Sequence, residues 1–501
     1  VKDNTVYLAK VTVIAKDGQL ATVDSDETVS AKFFKVGVPT VNADGLTENT
    51  ITLNVPEIII NGETAKYKVN VYSVNEEATM EEASYTRIDT RDVTVEDGKV
   101  VIDGLDSNTP YAFKLIAVVD GEEVESDYSL PIHTIPELKN LTVVEKADEA
   151  DEERKVFVNS GKLIINKEEI DPADYNDSKK LTNAINIIAK LKAGDIVSIE
   201  DQKVTLKLDN GASADNKGRD FTSLTGLKDT VFEIESNKYN KNISFNDSEE
   251  VKEVILKGED TMFTISGDNI KKLTLTNGVE VSGDREYTVA ENSTVVINGV
   301  SVTTEKETVI EKTVNDESKD VLLVNVNDEA NDLVFENKKD SEIIITFKGA
   351  DDNTSTQSGS IIIKNNGGKV TVTSDKANVN SELKVEVNSG DVDISEPSLT
   401  GDKNVTVSVE EGKTSTVTIS AKTKAPIDLN NVSVDITDED LRKETGVTDK
   451  NFDDVKAFLQ SFDLSGTGAT VTVKKDENKV TITFEPEEDE TIDNVEIGNL
   501  K

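Results

Sequence analysis

The sequence predicts an all-β protein in which several β-sandwich domains follow one another along the chain. Most of the 501 residues fall into short segments where apolar residues alternate with Thr, Ser, Lys or Asn, such as "KVTVIA", "TITLNV" and "NVTVSVEEG". This period of two is typical of strands with one buried and one solvent-facing side. Gly, Asn and Asp separate the segments roughly every eight to twelve residues, as antiparallel sandwiches require. Such a clear division of the two faces argues against a parallel sheet buried on both sides.

The first residues of the sequence recur later in the chain, which predicts the size of one domain. Tyr7 in "VKDNTVYLAK" aligns with Tyr111 in "LDSNTPYAFK", and the two tyrosines lie 104 residues apart. About a hundred residues is the size of one β-sandwich. We therefore expect residues 1–36 to be the last two strands of a truncated domain whose other strands lie outside this sequence. In that arrangement, Val6–Ala15 pairs antiparallel with Thr28–Phe34.

Residues 37–136 are predicted to be a complete copy of this domain. Leu105, Thr109 and Tyr111 form a pattern of Leu, then Thr, then Tyr. On this pattern the segment resembles a fibronectin type III domain, and residues 1–36 resemble the end of a preceding copy. The resemblance implies that the Tyr111 hydroxyl bonds back to the backbone while its ring packs in the core.

The same resemblance assigns two strands and contains two departures. "TITLNV" (Thr50–Val55) and "YKVNVY" (Tyr67–Tyr72) fall where the family has its second and third strands. Ser107 stands where the family often has Pro, and Leu53 stands where it usually has a core Trp. Because Leu fills the same position with less volume, we expect the fold to be kept.

A helix followed by a hairpin is predicted in the next domain, residues 137–240. The acidic stretch "DEADEER" is interpreted as an exposed linker or loop. In "DSKKLTNAINIIAKLKAG", Asp177 or Ser178 is the candidate N-cap and Gly194 ends the helix. The apolar stripe of this helix consists of Leu181, Ile185, Ile188 and Leu191. "DIVSIEDQKVTLKL" then predicts the hairpin.

Residues 425–501 repeat this plan in a predicted α+β domain. Thr448 is the candidate cap of its helix, Gly466 and Gly468 follow the helix, and "ATVTVKKDENKVTITFE" predicts the hairpin. The apolar face of this second helix consists of Phe452, Val455, Leu459 and Phe462. Each of the two helices is interpreted as a lid over a sheet face.

No helix is predicted between residues 241 and 424, and two architectures compete for this stretch. The favoured one is a pair of Ig-like sandwiches, over residues 241–315 and 316–424. The alternative is a β-solenoid, suggested by "KLTLTNGVEVSGDREYTVAENSTVVINGVSV". A solenoid requires a fixed period of about 20 residues. The sequence keeps such a period for only about two rungs.

Composition excludes several partners and several chemistries. Asp and Glu number 98 against 55 Lys and Arg, for a formal charge of −43. A chain this acidic repels nucleic-acid phosphates and anionic lipid head groups, and it favours cations. No segment approaches the ~18 apolar residues of a membrane helix. Because the chain has no Cys, disulfides, thiol catalysis and zinc–thiolate sites are excluded.

Catalysis finds little support in the residues, and we predict that the chain is not an enzyme. His133, in "LPIHTIP", is the single histidine; it falls in the last predicted strand of the 37–136 domain, with no G-x-S-x-G motif nearby. No glycine-rich phosphate loop follows a strand. Glycosidases need two carboxylates, but they usually also stack sugars on aromatic rings. Here Trp is absent and aromatic residues make up 5%.

Calcium is the cofactor that the sequence favours. Ca²⁺ takes about six to eight oxygen ligands from carboxylates, carbonyls and amides, often in a flexible loop. "DNGASADNKGRD" supplies Asp209, Asp215 and Asp220, and "GADDNTS" supplies Asp351 and Asp352. Neither segment has the spacing of an EF-hand, so a solvated turn is the alternative interpretation of each.

Domain style and composition together resemble those of bacterial surface-layer proteins. The chain combines tandem Cys-free β domains with two Met, one His and no Trp. The resemblance implies an extracellular structural subunit that self-assembles into a lattice on the cell wall, often with calcium setting the angles between domains. Modules that anchor it to the wall would lie outside this sequence. The alternatives are a cell-surface adhesin or ligand-binding stalk, and the ancillary modules of a secreted polysaccharide-degrading enzyme.

Overall fold

The computed structural model confirms an all-β protein, with 58% of residues in strands and 6% in helix. It divides into two compact units, Val1–Gln202 and Lys203–Lys501. The division falls inside the predicted 137–240 domain. Beyond residues 35–395 only the backbones of short strands are described, and within that range the description omits residues 61–62, 76–84, 120, 153, 176–178, 210–217, 238–239, 260 and 351–354.

Four short strands lie within residues 1–36. They are β1 (Tyr7–Leu8), β2 (Thr12–Val13), β3 (Val23–Asp24) and β4 (Lys32–Phe33). Strand β1 pairs antiparallel with β4, so that Tyr7 lies opposite Phe33, and β2 pairs antiparallel with β3. The predicted pairing of Val6–Ala15 with Thr28–Phe34 is confirmed for Tyr7–Leu8. Thr12–Val13 pair instead with Val23–Asp24, which lie outside the predicted partner segment.

Residues 37–136 form a sandwich of two antiparallel sheets. One sheet has the order β11-β6-β5; in the other, β10-β9-β12-β13, strand β14 also pairs with β12. The inward residues of both sheets are fully buried, Leu53 and Phe113 among them. The strands are β5 (Thr40–Leu46), β6 (Ile51–Asn54), β7 (Ile59–Ile60), β8 (Glu63–Thr64), β9 (Lys66–Val74), β10 (Tyr85–Val93), β11 (Lys99–Ile102), β12 (Pro110–Val119), β13 (Glu122–Glu125) and β14 (Ile132–His133).

The predicted tyrosine corner is present. The backbone N–H of Asp106 donates to the Tyr111 hydroxyl at 3.0 Å, and the Tyr111 residue is 2% exposed. Leu105 and Leu53 are also buried. The hydroxyl therefore satisfies a backbone donor at the bend while the ring fills the core, as the resemblance implied.

The rest of the first unit contains the predicted helix, α1 (Lys179–Ile188). All four residues of its predicted stripe are buried, but Leu191 follows the last helical residue, Ile188. The predicted end at Gly194 is therefore too late; this glycine, with a φ of 91°, lies in the turn that follows the helix. The cap candidates Asp177 and Ser178 lie outside the described residues. The strands of this part are β15 (Leu141–Val143), β16 (Lys155–Asn159), β17 (Lys162–Ile165), β18 (Glu168–Ile170) and β19 (Ile196–Glu200).

The acidic stretch predicted as a linker or loop contains a short 3-10 helix, Ala147–Asp151. Ala150 within it is fully buried. This small apolar side chain anchors the segment while its acidic neighbours face solvent, so the segment is part of the packed unit. A second 3-10 helix, Pro172–Tyr175, precedes α1.

The second unit begins as a β-solenoid with two strands in each rung. Even-numbered strands stack parallel on one another from β20 to β28, and odd-numbered strands stack parallel from β21 to β29. We call these two stacks ladder A and ladder B. The strands are β20 (Lys203–Lys207), β21 (Gly218–Phe221), β22 (Val231–Glu235), β23 (Lys241–Phe245), β24 (Glu253–Lys257), β25 (Met262–Ser266), β26 (Leu273–Leu275), β27 (Glu280–Ser282), β28 (Arg285–Val289) and β29 (Ser293–Ile297).

One rung of the solenoid then runs backwards. After a turn at Asn298 and Gly299, with φ values of 49° and 80°, strand β30 (Val300–Thr304) returns antiparallel beside β29. Strand β31 (Thr308–Val314) returns antiparallel beside β28. Two successive positive φ angles in an Asn-Gly pair are typical of the tight hairpin turn that suits twisted strands. We call β30 and β31 the reversed rung.

Beyond the reversed rung the parallel stacking resumes. Strands β32 (Asp320–Asn325) and β34 (Glu342–Lys348) continue ladder A, and β33 (Leu333–Asn337) continues ladder B. The long strands β35 (Ser355–Asp375) and β36 (Ala377–Ser395) each contribute to both ladders. The remaining strands are β37 (Ser398–Leu399), β38 (Val405–Val409), β39 (Val417–Ser420), β40 (Ile427–Asn430), β41 (Thr470–Asp476), β42 (Lys479–Glu485) and β43 (Val495–Gly498).

Strand pairing selects the β-solenoid from the two architectures left open for residues 241–424. Tandem sandwiches require antiparallel sheets, whereas these rungs stack parallel apart from the reversed one. Inward residues form a continuous core, in which Phe221, Phe232 and Phe245 have ring centres 5.2–5.6 Å apart. The predicted hairpin near the C-terminal end is confirmed, since β41 pairs antiparallel with β42. Thr448, the helix after it and Gly466 and Gly468 lie outside the described residues.

Candidate functional site

The structure describes two of the calcium candidates, Asp209 and Asp220, and each already makes hydrogen bonds within the chain. The Asp209 carbonyl already accepts a hydrogen bond of 2.8 Å from the Lys241 ammonium. The Asp220 carboxylate caps a turn, accepting from the backbone N–H and the hydroxyl of Thr222 at 2.9 and 2.6 Å. Asp215, Asp351 and Asp352 lie outside the described residues. Within the described part of the chain, no group of three or more acidic, His or Cys side chains is placed to hold a metal ion.

Many carboxylates of the second unit instead join neighbouring rungs through lysines. Glu233 on β22 lies 3.0 Å from the ammonium of Lys203 on β20 and 2.7 Å from that of Lys257 on β24. Partial burial raises the pKa of Glu233, but the hydrogen bonds from the two lysines outweigh this and hold it below its usual value. One carboxylate thereby links three consecutive rungs of ladder A.

A second row of ion pairs follows ladder A beyond the reversed rung. The ammonium of Lys319 lies 3.2 Å from Glu342, and the ammonium of Lys369 lies 3.6 Å from Glu342 and 3.5 Å from Asp393. Charges of alternating sign therefore cross four rungs. Because these side chains are partly exposed, each pair contributes little alone, and their regular spacing is what matters.

The most buried ion pairs hold the reversed rung. The Lys312 side chain on β31 is 6% exposed, contacts Asp284 and lies 3.1 Å from Asp320. Burial lowers the pKa of Lys312, but its two carboxylate partners outweigh this and raise it. The Asp320 carboxylate also lies 3.0 Å from the Lys339 ammonium. Burial raises the pKa of Asp320, but the hydrogen bonds from Lys339 and Lys312 outweigh this effect and hold the pKa below its usual value. The carboxylate therefore stays ionised.

Strand β10 is an exposed edge of the sandwich. It is the outermost strand of its sheet, nine residues long with the sequence "YTRIDTRDV", and five consecutive residues, 86–90, are exposed. Ile88 is 52% exposed. The register between β10 and β9 shifts between Arg87 and Asp89, so Ile88 sits in a β-bulge. This surface is not among the features predicted from the sequence; the four charged residues among the nine of β10 are the signal that could have indicated an edge strand.

A second surface feature is a cluster of tyrosines. Tyr128 stacks on Tyr85 with ring centres 4.1 Å apart and meets the edge of Tyr72 at 4.9 Å. The Lys114 ammonium lies 4.4 Å from the Tyr128 ring centre. Three of the chain's nine Tyr therefore contact one another beside this sheet. Leu130, two residues after Tyr128, is 86% exposed.

The segment between β13 and β14 stays bonded to β12 on both sides of Tyr128. The backbone N–H groups of Leu115 and Phe113 on β12 donate to the hydroxyls of Ser126 and Ser129, both at 2.9 Å. The serine side chains thus accept bonds that a regular strand would accept with its carbonyls, and the residues between them are free to loop out. Serines flanking "DY" are the sequence signal that could have indicated this arrangement.

His133 is a strand residue, as predicted. It lies in β14 opposite Pro110, and its ring centre is 5.5 Å from that of Tyr175. Its surroundings are therefore those of a packed side chain between the sandwich and the segment that follows it.

Comparisons with known proteins do not show the family of this chain. No family model and no curated protein matches it. Among solved structures, a crystal structure of titin domains is similar over 21% of this chain and 36% of the titin chain, at 16% identity and a TM-score of 0.15. A TM-score this low carries no conclusion about fold or function. In the part of the chain that the structure describes, no helix is long and apolar enough to span a membrane.

Proposed function

We propose that the chain is a structural subunit of a bacterial cell-surface layer and that it assembles with copies of itself outside the cell. The observation that supports this most is the solenoid of the second unit, with rungs stacked in register and joined by ion pairs. In such an architecture each rung is stabilised by its neighbours, and each adds about 4.8 Å along the stack. The product is an extended scaffold of fixed geometry, which a lattice requires.

The placement of the carboxylates supports a scaffold rather than a catalyst. Glu233 and Asp320, whose side chains are 18% and 20% exposed, each contact two ammonium groups. A carboxylate held in this way is ionised and occupied, whereas a general acid needs a raised pKa. These groups therefore stabilise the fold.

Divalent cations fit this proposal as bridges between subunits. With a formal charge of −43, two copies repel one another unless cations lie between them. Calcium prefers the carboxylate and carbonyl oxygens that cover this chain. We expect calcium to act between acids of different copies, with Asp215, Asp220 and Asp351 as candidates.

The tyrosine cluster favours a second candidate, a cell-surface adhesin or ligand-binding stalk. Aromatic residues make up only 5% of the chain, yet Tyr72, Tyr85 and Tyr128 are grouped on one sheet beside Lys114. Tyrosines combine a large apolar ring with a polar hydroxyl and are enriched at interfaces. An adhesin predicts that the isolated chain binds a surface ligand without forming arrays.

Electron microscopy of negatively stained protein separates the two candidates. Full-length chain at millimolar calcium is expected to form sheets with a regular repeat, and the same sample with excess chelator is expected to show dispersed particles. If dispersed particles are found under both conditions, and at every protein concentration that stays in solution, the lattice proposal is wrong and the adhesin remains.

A further inference from the structure

The outer edge of β10 is a strand edge without a neighbour. Strand β9 pairs with its inner side throughout Tyr85–Val93, and no strand in the described part of the chain pairs with the other side. Backbone N–H and C=O groups along such an edge form a template for pairing with another chain. Its exposed side chains therefore decide which chain can pair with it.

The sequence of β10 is complementary to itself when two copies run antiparallel. With Ile88 opposite Ile88 of a second copy, Arg87 lies opposite Asp89 and Thr86 lies opposite Thr90, each pair occurring twice. Directly opposed side chains are the pairs that stabilise or destabilise a sheet, and opposite charges stabilise it. In this register, every charged residue within two positions of the centre meets one of opposite sign.

A shift of the centre by one residue reverses this result. If Asp89 were at the centre, it would face its own copy, and Arg87 would face Arg91. Like charges directly opposed are destabilising. The charge pattern therefore favours the centre at Ile88 over the centre at Asp89.

We propose that β10 joins two copies of this chain by antiparallel pairing across a two-fold axis at Ile88. The proposal rests on the proposed self-assembly and names one of its interfaces. The paired sheets become one continuous sheet, and the surface that is 52% exposed at Ile88 is covered by the same residue of the second copy. A two-fold interface uses one patch on both partners, as this one does.

Charges and bulges at a sheet edge commonly prevent pairing with another chain, and the edge of β10 has both. A protective edge carries charges that repel an identical strand, whereas the signs here alternate and attract one. The bulge lies between Arg87 and Asp89, at the proposed axis itself, and β10 pairs regularly with β9 on both sides of it. The nearby pair between the Arg91 Nε and the Asp89 carboxylate, at 2.7 Å, is partly exposed and easily exchanged for a partner across the axis.

Charge reversal tests the proposed register. In full-length chain, Arg87→Asp places like charges opposite one another twice and should raise the dissociation constant of the dimer by about tenfold or more. The double variant Arg87→Asp/Asp89→Arg restores opposite charges and should recover the wild-type constant in sedimentation equilibrium. Lys99→Glu on β11 changes the net charge by the same amount as Arg87→Asp and is the matched control.

A single cysteine gives a second test, because the natural chain has none. Residues facing themselves across an antiparallel axis have Cα atoms about 4.5–5.5 Å apart, within reach of a disulfide. Under oxidation Ile88→Cys should form a covalent dimer, while Val101→Cys, similarly exposed at 62% but on the other sheet, should stay monomeric.

The outcomes separate the interface from the proposed function. If the wild type assembles, but the Arg87→Asp variant assembles equally well and the two cysteine variants cross-link alike, β10 is not the interface while self-assembly stands. If neither wild type nor Ile88→Cys associates at any concentration, both proposals are wrong. Recovery by the double variant together with selective cross-linking at Ile88 confirms the interface.

Discussion

The Nζ atom of Lys312 lies 3.1 Å from the Oδ1 atom of Asp320, on the strand that follows its own in the solenoid. Lys312 also contacts Asp284, which immediately precedes the strand on its other side. A single buried ammonium group thus joins the reversed rung to both neighbouring rungs. Because a lone buried charge is costly, this side chain favours the one register in which both carboxylates are within reach.

Lys312→Met should loosen the reversed rung. Removing one partner from a buried ion pair costs about 3–5 kcal/mol, so hydrogen exchange in β31 should accelerate by at least about a hundredfold. Lys203→Met removes a lysine that is 54% exposed and pairs with Glu233, and it should cost no more than ~1 kcal/mol. Equal exchange rates in the two variants would show that Lys312 does not hold the rung.

Asp320 should make this region sensitive to acid. Its pKa is lowered in the fold relative to about 3.9 in the unfolded chain. The folded state therefore binds fewer protons, and the stabilisation is complete above about pH 4 and is lost as the pH falls through the lowered value. Thermal unfolding midpoints of wild type and Asp320→Asn should differ at pH 7 and converge near pH 2. A difference that stays constant with pH would contradict the assignment.

Gly258 allows a test of the close stacking of rungs. Its φ is 134°, and a Cβ atom there would lie 1.7 Å from the Ser236 carbonyl oxygen on the preceding rung. Gly258→Ala should therefore destabilise the second unit by about 2–3 kcal/mol or more. Gly283 has a similar φ of 128° with its nearest atom at 3.5 Å, so Gly283→Ala reports backbone strain alone. If the urea midpoints of Gly258→Ala and Gly283→Ala fall by the same amount, the close contact between Gly258 and Ser236 does not contribute to stability.

The tyrosine corner gives a prediction for the sandwich. Tyr111→Ala should destabilise it by about 3–5 kcal/mol, because the ring is buried and a cavity remains. Tyr111→Phe keeps the ring and loses only the bond from Asp106, at a cost of about 1 kcal/mol. If calorimetry of the full chain shows no change in the sandwich transition for either variant, the corner contributes nothing to stability.

Local features of this fold follow from the sequence because they depend on nearby residues. The alternation that predicts strands, the Leu181 stripe of α1 and the corner at Tyr111 all lie within short segments. The pairing of rungs does not follow from short segments, because the number of residues between stacked positions varies. Phe232 stacks on Val254 after 22 residues, Val254 on Leu273 after 19, and Thr274 on Thr288 after 14. Loops of unequal length conceal the period.

The exposed surfaces could not be fully predicted for the same reason. Whether β10 is an edge depends on which strands lie beside it, and the partners of Glu233 and Lys312 come from other rungs. The calcium candidates were chosen by local acidity alone. In the described residues, local acidity marks solvated turns such as that of Asp220, because carboxylates also cap turns.

Sedimentation velocity of the full-length chain tests the central claim, self-assembly aided by cations, most directly. The sample is compared in millimolar calcium, in excess chelator, and in sodium chloride of equal ionic strength. Calcium bridges acidic surfaces, whereas sodium only screens them. The account predicts large assemblies in calcium that dissociate on chelation and form less readily in sodium chloride. A single slow-moving species with the same sedimentation coefficient in all three solutions would contradict it.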